Sequence, residues 1–170
     1  MGQNIYHARL MFARSFIDSM DFARNGMELC GEIPINTMPR LSDMLANSNG
    51  TLNYKVIGSR EDDIHQLEIV LTGKCNLRCQ RCLEEFAYPL EVDSHLKLTS
   101  AEKLDEITDE ENDDFIEASR QLDVLELIED EVLLSLPFAP KHPEGTCIAP
   151  LKDLQQAANP FAVLAVLKKQ

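Results

Sequence analysis

The sequence has no apolar run approaching the ~20 residues that a membrane-spanning helix needs. Residues 1–16 contain no continuous apolar stretch and no small-residue cleavage site, so the chain reads as cytoplasmic rather than secreted. There is no internal repeat and no low-complexity tract. There is also no G-x-S-x-G nucleophile turn, no glycine-rich phosphate loop and no H-E-x-x-H pair. His7, His65 and His95 are isolated and read as surface or strand residues rather than bases. The many carboxylates are crowded and nominate no acid/base pair, so the expectation is a protein that is not an enzyme. Positive charge is scarce. Across 170 residues, 16 Lys and Arg face 29 Asp and Glu, a net charge of −13. In bulk, that balance disfavours nucleic acid, because phosphate must be neutralised by cations. What is present is globular: 44% hydrophobic and 26% charged residues, a length for one domain over residues 1–170, and enough chain for one core.

The negative charge is unevenly spread. Residues 1–101 are net −3, residues 102–131 are net −12, and residues 132–170 are net +2. The densest part is Asp109, Glu110, Glu111, Asp113 and Asp114. One reading is a solvated, self-repelling loop. The other is a docking surface for a basic partner such as a ribosomal protein, or a shield against the wrong anion. The run lacks the spaced Asp/Asn ligands and central Gly of a calcium loop.

Hydrophobic periodicity predicts the elements. Phe12, Phe16 and Met20 recur every fourth residue and predict a helix over 12–24, stopped at Asn25-Gly26. Residues 38–45 read as a second short helix with Pro39 in its first turn. Strands are expected at 27–33, 51–58, 64–74 and 85–98, with Pro89 marking an edge or a bulge. Phe115-Ile116 reads as a brief strand. The clearest helix is 123–136, with Asp123 as N-cap, Glu126 completing a capping box, and a stripe of Leu125, Ile128, Val132 and Leu136 before Pro137. Residues 137–170 form a tail that is first irregular and proline-containing, then a short helix from 161 to 167. The resulting fold class is α+β: an antiparallel sheet, as a meander or partly open barrel, packed by a few helices and carrying an acidic loop.

Five cysteines, Cys30, Cys75, Cys79, Cys82 and Cys147, form an odd set that reads as reduced thiols. Cys75, Cys79 and Cys82 have the C-x3-C-x2-C spacing of radical S-adenosylmethionine enzymes. That reading fails on size, because such enzymes build a barrel of about 200 or more residues. Only 88 residues follow Cys82, and the next segment reads as strand. A zinc knuckle is the second reading. Cys79 and Cys82 can grip a tetrahedral ion from a tight turn, and the candidates for the remaining ligands are Cys75, His142 and Cys147, the last two in a loop with suitable donor types. Two others stay open: a metal-free pair of thiols in a turn, and a redox or disulfide pair. The redox pair is disfavoured because the strand context offers no helix N-terminus to depress a thiol pKa. Lys74, Arg78 and Arg81 lie beside these thiols and are candidate contacts to RNA phosphate, or an ordinary solvated turn.

Taken in order, several features resemble one family. Cys79-Gln80-Arg81-Cys82 follows a strand, and Leu127-Ile128-Glu129-Asp130-Glu131 leads through Leu134 to Leu136-Pro137. His142 and Cys147 come next, and Asn159-Pro160-Phe161-Ala162-Val163-Leu164 lies near the end. This order resembles the bacterial YceD family of large ribosomal RNA subunit accumulation proteins, particularly its proteobacterial branch. The resemblance covers roughly residues 10–170; Cys75 departs from the family's C-x-R-C pattern. It implies a small cytoplasmic, non-catalytic protein that supports synthesis, processing or accumulation of 23S ribosomal RNA. Some branches carry extra cysteines near the position of Cys147, which fits a metal-bound site. The expected partners are large-subunit ribosomal RNA or a precursor particle, and a basic ribosomal protein. The alternative is a zinc-stabilised protein-interaction module with no RNA contact.

Overall fold

The computed structural model describes residues 5–6, 15–104 and 113–147. The expectations for residues 12–14, for Asp109, Glu110 and Glu111, and for the helix at 161–167 lie outside them. In chain order the first elements are β1 (Ile5–Tyr6), β2 (Phe16–Ile17), α1 (Ser19–Arg24), β3 (Glu28–Pro34) and β4 (Leu45–Asn47). The long strands β5 (Thr51–Glu61), β6 (Ile64–Arg78) and β7 (Glu85–Thr99) follow. Then come α2 (Ala101–Leu104), β8 (Asp114–Glu117), β9 (Leu122–Asp123) and α3 (Val124–Ser135).

The α+β architecture is as the period-two patterns require. A mixed sheet runs in the order β1-β3-β5-β6-β7-β8, and β4 pairs with β6 beyond the end of β5. The pairs β1/β3 and β7/β8 are parallel and the others antiparallel, so β5, β6 and β7 form the expected meander. Along β6 the side chains alternate. Leu67, Ile69, Leu71, Cys75 and Leu77 are buried, while Thr72, Lys74 and Arg78 are exposed on the other face. The β5–β6 turn is tighter than the polar run 59–63 suggests. Asp62 and Asp63 both have left-handed φ, 46° and 69°, as a two-residue hairpin turn matched to strand twist requires. Strand β6 runs four residues past its expected end, because β4 on one side and β7 on the other pair with residues 76–77. Pro89 sits opposite Lys74 without a bulge, and among the described residues β7 pairs with β8 only at residues 96–99, so the proline lies on an edge that no described strand pairs.

Two expected helices differ. Within 12–24, only Ser19–Arg24 is helical among the described residues. The Asp18 carboxylate accepts from the Asp21 N–H at 3.0 Å and starts α1 there. Phe16–Ile17 instead pairs with Leu122–Asp123. In place of a helix at 38–45, the chain makes two 3-10 turns, Ile35–Thr37 and Pro39–Leu41, and then β4. The buried residues there are Ile35, Met38 and Leu41, a spacing of three that suits the 3-10 repeat better than the α-helical one.

Helix α3 begins where expected, with the Asp123 carboxylate accepting from the Leu125 and Glu126 N–H groups. Its most buried face is Val124, Leu127, Ile128 and Val132, a slight rotation from the expected stripe that leaves Leu125 half-buried. The helix packs on β7. Its acidic residues are put to structural use. Glu129 is 5% exposed and accepts from the Arg40 backbone N–H at 2.6 Å and from Arg40 Nε at 3.0 Å. The same guanidinium reaches Asp130 at 2.6 Å. Glu131, also buried, accepts from Ser94 Oγ.

Helix α1 crosses β5 at Gly58. A Cβ there would stand 2.5 Å from the Phe22 carbonyl oxygen and 2.7 Å from Ala23 Cα. Both obstacles are backbone, so the helix would have to shift. Gly58→Ala is therefore expected to cost about 1–3 kcal/mol of stability by overpacking, read as a lowered urea midpoint. An unchanged midpoint would mean that α1 moves freely off the sheet.

Candidate metal centre

The far tip of the β6–β7 hairpin carries the cysteine turn. The Cys79 N–H donates to the Glu84 carbonyl at 2.9 Å and the Leu83 N–H donates to the Cys79 carbonyl at 2.9 Å, with Leu83 at a left-handed φ of 64°. The turn is therefore closed on itself. Its Gln80 N–H donates to the Pro140 carbonyl at 2.8 Å, which brings the segment after α3 alongside. That segment makes its own turn. The Thr146 N–H and Oγ1 both donate to the Pro143 carbonyl, and Gly145 takes a φ of 81°. This second turn aims His142 and Cys147 at the first.

The four donor atoms converge. Cys79 Sγ, Cys82 Sγ, His142 Nδ1 and Cys147 Sγ all lie within 4.8 Å of one another. Cys79 Sγ is 3.5 Å from Cys147 Sγ, Cys82 Sγ is 3.3 Å from His142 Nδ1, and Cys147 Sγ is 3.5 Å from His142 Nδ1. Zinc bond lengths in a regular tetrahedron give S···S edges of about 3.8 Å and S···N edges of about 3.6 Å. The observed separations are close to those edges, and the S···S distance is far above the ~2.05 Å of a disulfide. Three thiol sulfurs with one imidazole nitrogen are a tetrahedral zinc donor set, so these residues could hold a metal ion. The Phe86 ring lies 4.8 Å from the His142 ring and steadies its orientation.

Electrostatics within the cluster separates the thiols. Burial raises the Cys79 thiol, but the backbone of His142, Cys82 and Arg81 outweighs it and brings Cys79 down to about 5. The Arg81 N–H is 3.4 Å from Cys79 Sγ. Cys82 moves the other way. The Glu84 backbone favours its thiolate, but burial and the sulfurs of Cys147 and Cys79 push it up. A depressed thiol pKa is one requirement of a redox cysteine and equally of a metal ligand, since both act as thiolates. Cys79 is fully buried and sits at a strand end rather than a helix N-terminus, which suits the ligand better. Cys75 stands apart. It is buried on the inner sheet face opposite Tyr88, and desolvation raises its pKa, so its spacing to Cys79 carries no cluster.

The three cations of the sequence reading are not brought into one patch. Lys74 and Arg78 are exposed on the outer face of β6, with Arg78 directly opposite Glu85. Arg81 turns back instead, and its Nε is 3.0 Å from Cys147 Sγ. Asp113 pairs with Lys97, and Asp114 begins β8 opposite Leu96. The sequence reading missed the Arg81–Cys147 contact, the Phe86 ring and the Gln80–Pro140 tie. The only signal for the first was the placement of Arg81 between the two cysteines.

In metal-free, reduced protein, the thiolate absorbance should titrate in separate steps. Cys79 is depressed, so its thiolate form persists down to about pH 5; the stability this contributes is full above the ordinary thiol value of ~8.5 and is lost as pH falls from there through about 5. Cys79→Ser should remove the low step. A single step near the ordinary ~8.5 would contradict this electrostatic account.

Among the described residues no helix is long and apolar enough to cross a membrane. No solved structure matches the chain. A protein of Haemophilus influenzae named Large ribosomal RNA subunit accumulation protein YceD is 26% identical over 173 residues, covering 91% of this chain and 95% of that protein. Residues 67–168, which include all four donors, match the family model described as Large ribosomal RNA subunit accumulation protein YceD. With more than half of its length matched in this way, the chain belongs to the YceD family.

Proposed function

We propose that the protein is a non-catalytic, cytoplasmic ribosome-biogenesis factor supporting synthesis, processing or accumulation of 23S ribosomal RNA. We further propose that it holds one structural zinc ion through Cys79, Cys82, His142 and Cys147. Membership in a family described by ribosomal RNA accumulation supports the first part, and the four converging donors support the second. Zinc would supply no chemistry here. All four positions are filled by side chains, the pattern of a structural site that keeps no open position for substrate.

Lys74 and Arg78 are the RNA contacts in this reading, with the Arg81 guanidinium joining through nitrogens not turned toward Cys147. Their partners would be phosphates of large-subunit RNA or of a precursor particle. The acidic residues Asp109, Glu110, Glu111, Asp113 and Asp114 would meet a basic ribosomal protein, with Asp113 releasing Lys97 to do so. The second reading is a zinc-stabilised protein-interaction module without RNA contact. It is favoured by Glu85 facing Arg78 across the β6–β7 pair, which weakens the cationic patch.

Deletion of the gene should lower 23S ribosomal RNA relative to 16S, and crosslinking in cells should recover large-subunit RNA. Normal 23S levels would remove the first reading. RNA-free crosslinks to a protein partner would leave the second. Purified protein should carry close to one zinc per chain by elemental analysis, and Cys79→Ser should lose it.

A further inference from the structure

The zinc reading leaves a charge unaccounted for. A divalent ion with three thiolates and a neutral imidazole is a net monoanion. Here that charge sits against the core, since Cys79 is fully buried and the other three donors are half-buried. A buried charge without a partner is strongly unfavourable. Of the three cations near the turn, Lys74 and Arg78 belong to the outer sheet face. Among the described residues, Arg81 is the cation whose side chain bonds one of the sulfurs.

Its geometry is specific. The Arg81 backbone N–H points at Cys79 Sγ from 3.4 Å, and its side-chain Nε–H points at Cys147 Sγ from 3.0 Å. One residue thus donates to a sulfur on each of the two turns that meet at the site. Resting on the zinc reading, we propose that Arg81 is the charge-compensating positioning residue of the zinc–thiolate centre, holding Cys147 as a ligand by donating from Nε to its sulfur. Outer partners of this kind raise metal affinity by orienting the ligand and stabilising its charged form. A guanidinium suits the task because it stays charged at any working pH and offers a directional Nε–H.

The test uses the full-length, zinc-loaded protein as wild type, Arg81→Gln and Arg81→Lys. Zinc affinity is read by competition with a chromogenic chelator. Arg81→Gln should weaken it about 10- to 100-fold. Arg81→Lys should recover part of the loss by restoring charge without the Nε–H. In parallel, iodoacetamide labelling of zinc-loaded protein, resolved by peptide mass spectrometry, should show Cys147 alkylated faster in Arg81→Gln, because its sulfur has lost a donor. Equal affinity and equal Cys147 labelling in wild type and Arg81→Gln would overturn the role of Arg81 while leaving zinc in place. A wild-type protein that takes up no zinc would overturn both this role and the zinc reading. Circular dichroism of the zinc-saturated variants should match wild type; a Gln variant misfolded even with zinc would overturn a role limited to the centre.

Discussion

Two turns far apart in sequence meet at four atoms, and the contact between the hairpin tip and the segment after α3 depends on that meeting. Cys79 and Cys82 come from the tip of the longest hairpin, and His142 and Cys147 come from the segment that follows α3. Neither turn has the apolar content to hold the other: residues 80, 81, 83 and 84 of one and 141, 143, 144 and 145 of the other are polar, exposed or conformationally special. A direct backbone bond from Gln80 to Pro140 and the Phe86–His142 contact begin the approach. A metal ion sharing all four donors would complete it, because coordination free energy replaces the hydrophobic burial that this corner lacks.

The charge distribution follows a similar economy. The net charge of −13 is not all free surface charge. Several of the carboxylates responsible are anchors instead. Asp123 caps α3, Glu129 and Asp130 grip Arg40, Glu131 bonds Ser94, and Asp113 pairs with Lys97. Glu129 reaches a backbone N–H and a guanidinium at once, the condition under which a buried carboxylate is tolerated. Among the described residues of the proposed docking run, Asp113 is shared with Lys97 and Asp114 begins β8.

Much of the fold was legible because strand burial obeys a period of two. The four expected strands all exist, and the Asp123 cap of α3 stands where sequence put it. What failed to read through were short segments whose partners are remote. Phe16 and Ile17 look helical by spacing, yet they pair with residues more than a hundred positions away. Ile35, Met38 and Leu41 follow a three-residue repeat that resembles an α-helical stripe over so short a window. At the site, residue types and the C-x2-C spacing pointed to the four donors, but only the tertiary structure brings His142 and Cys147 to Cys79. The sequence also grouped Arg81 with Lys74 and Arg78 by proximity. Side-chain direction separates them, since two project from the outer face of a strand and the third bends back within a turn.

In the zinc reading, one tetrahedral ion joins the two turns through three sulfurs and one nitrogen. X-ray absorption at the zinc edge of the purified, zinc-loaded protein tests it most directly. The expected first shell is three sulfur scatterers at about 2.3 Å and one imidazole nitrogen at about 2.0 Å. A shell of oxygen or nitrogen scatterers alone, or one with only two sulfurs, would contradict it.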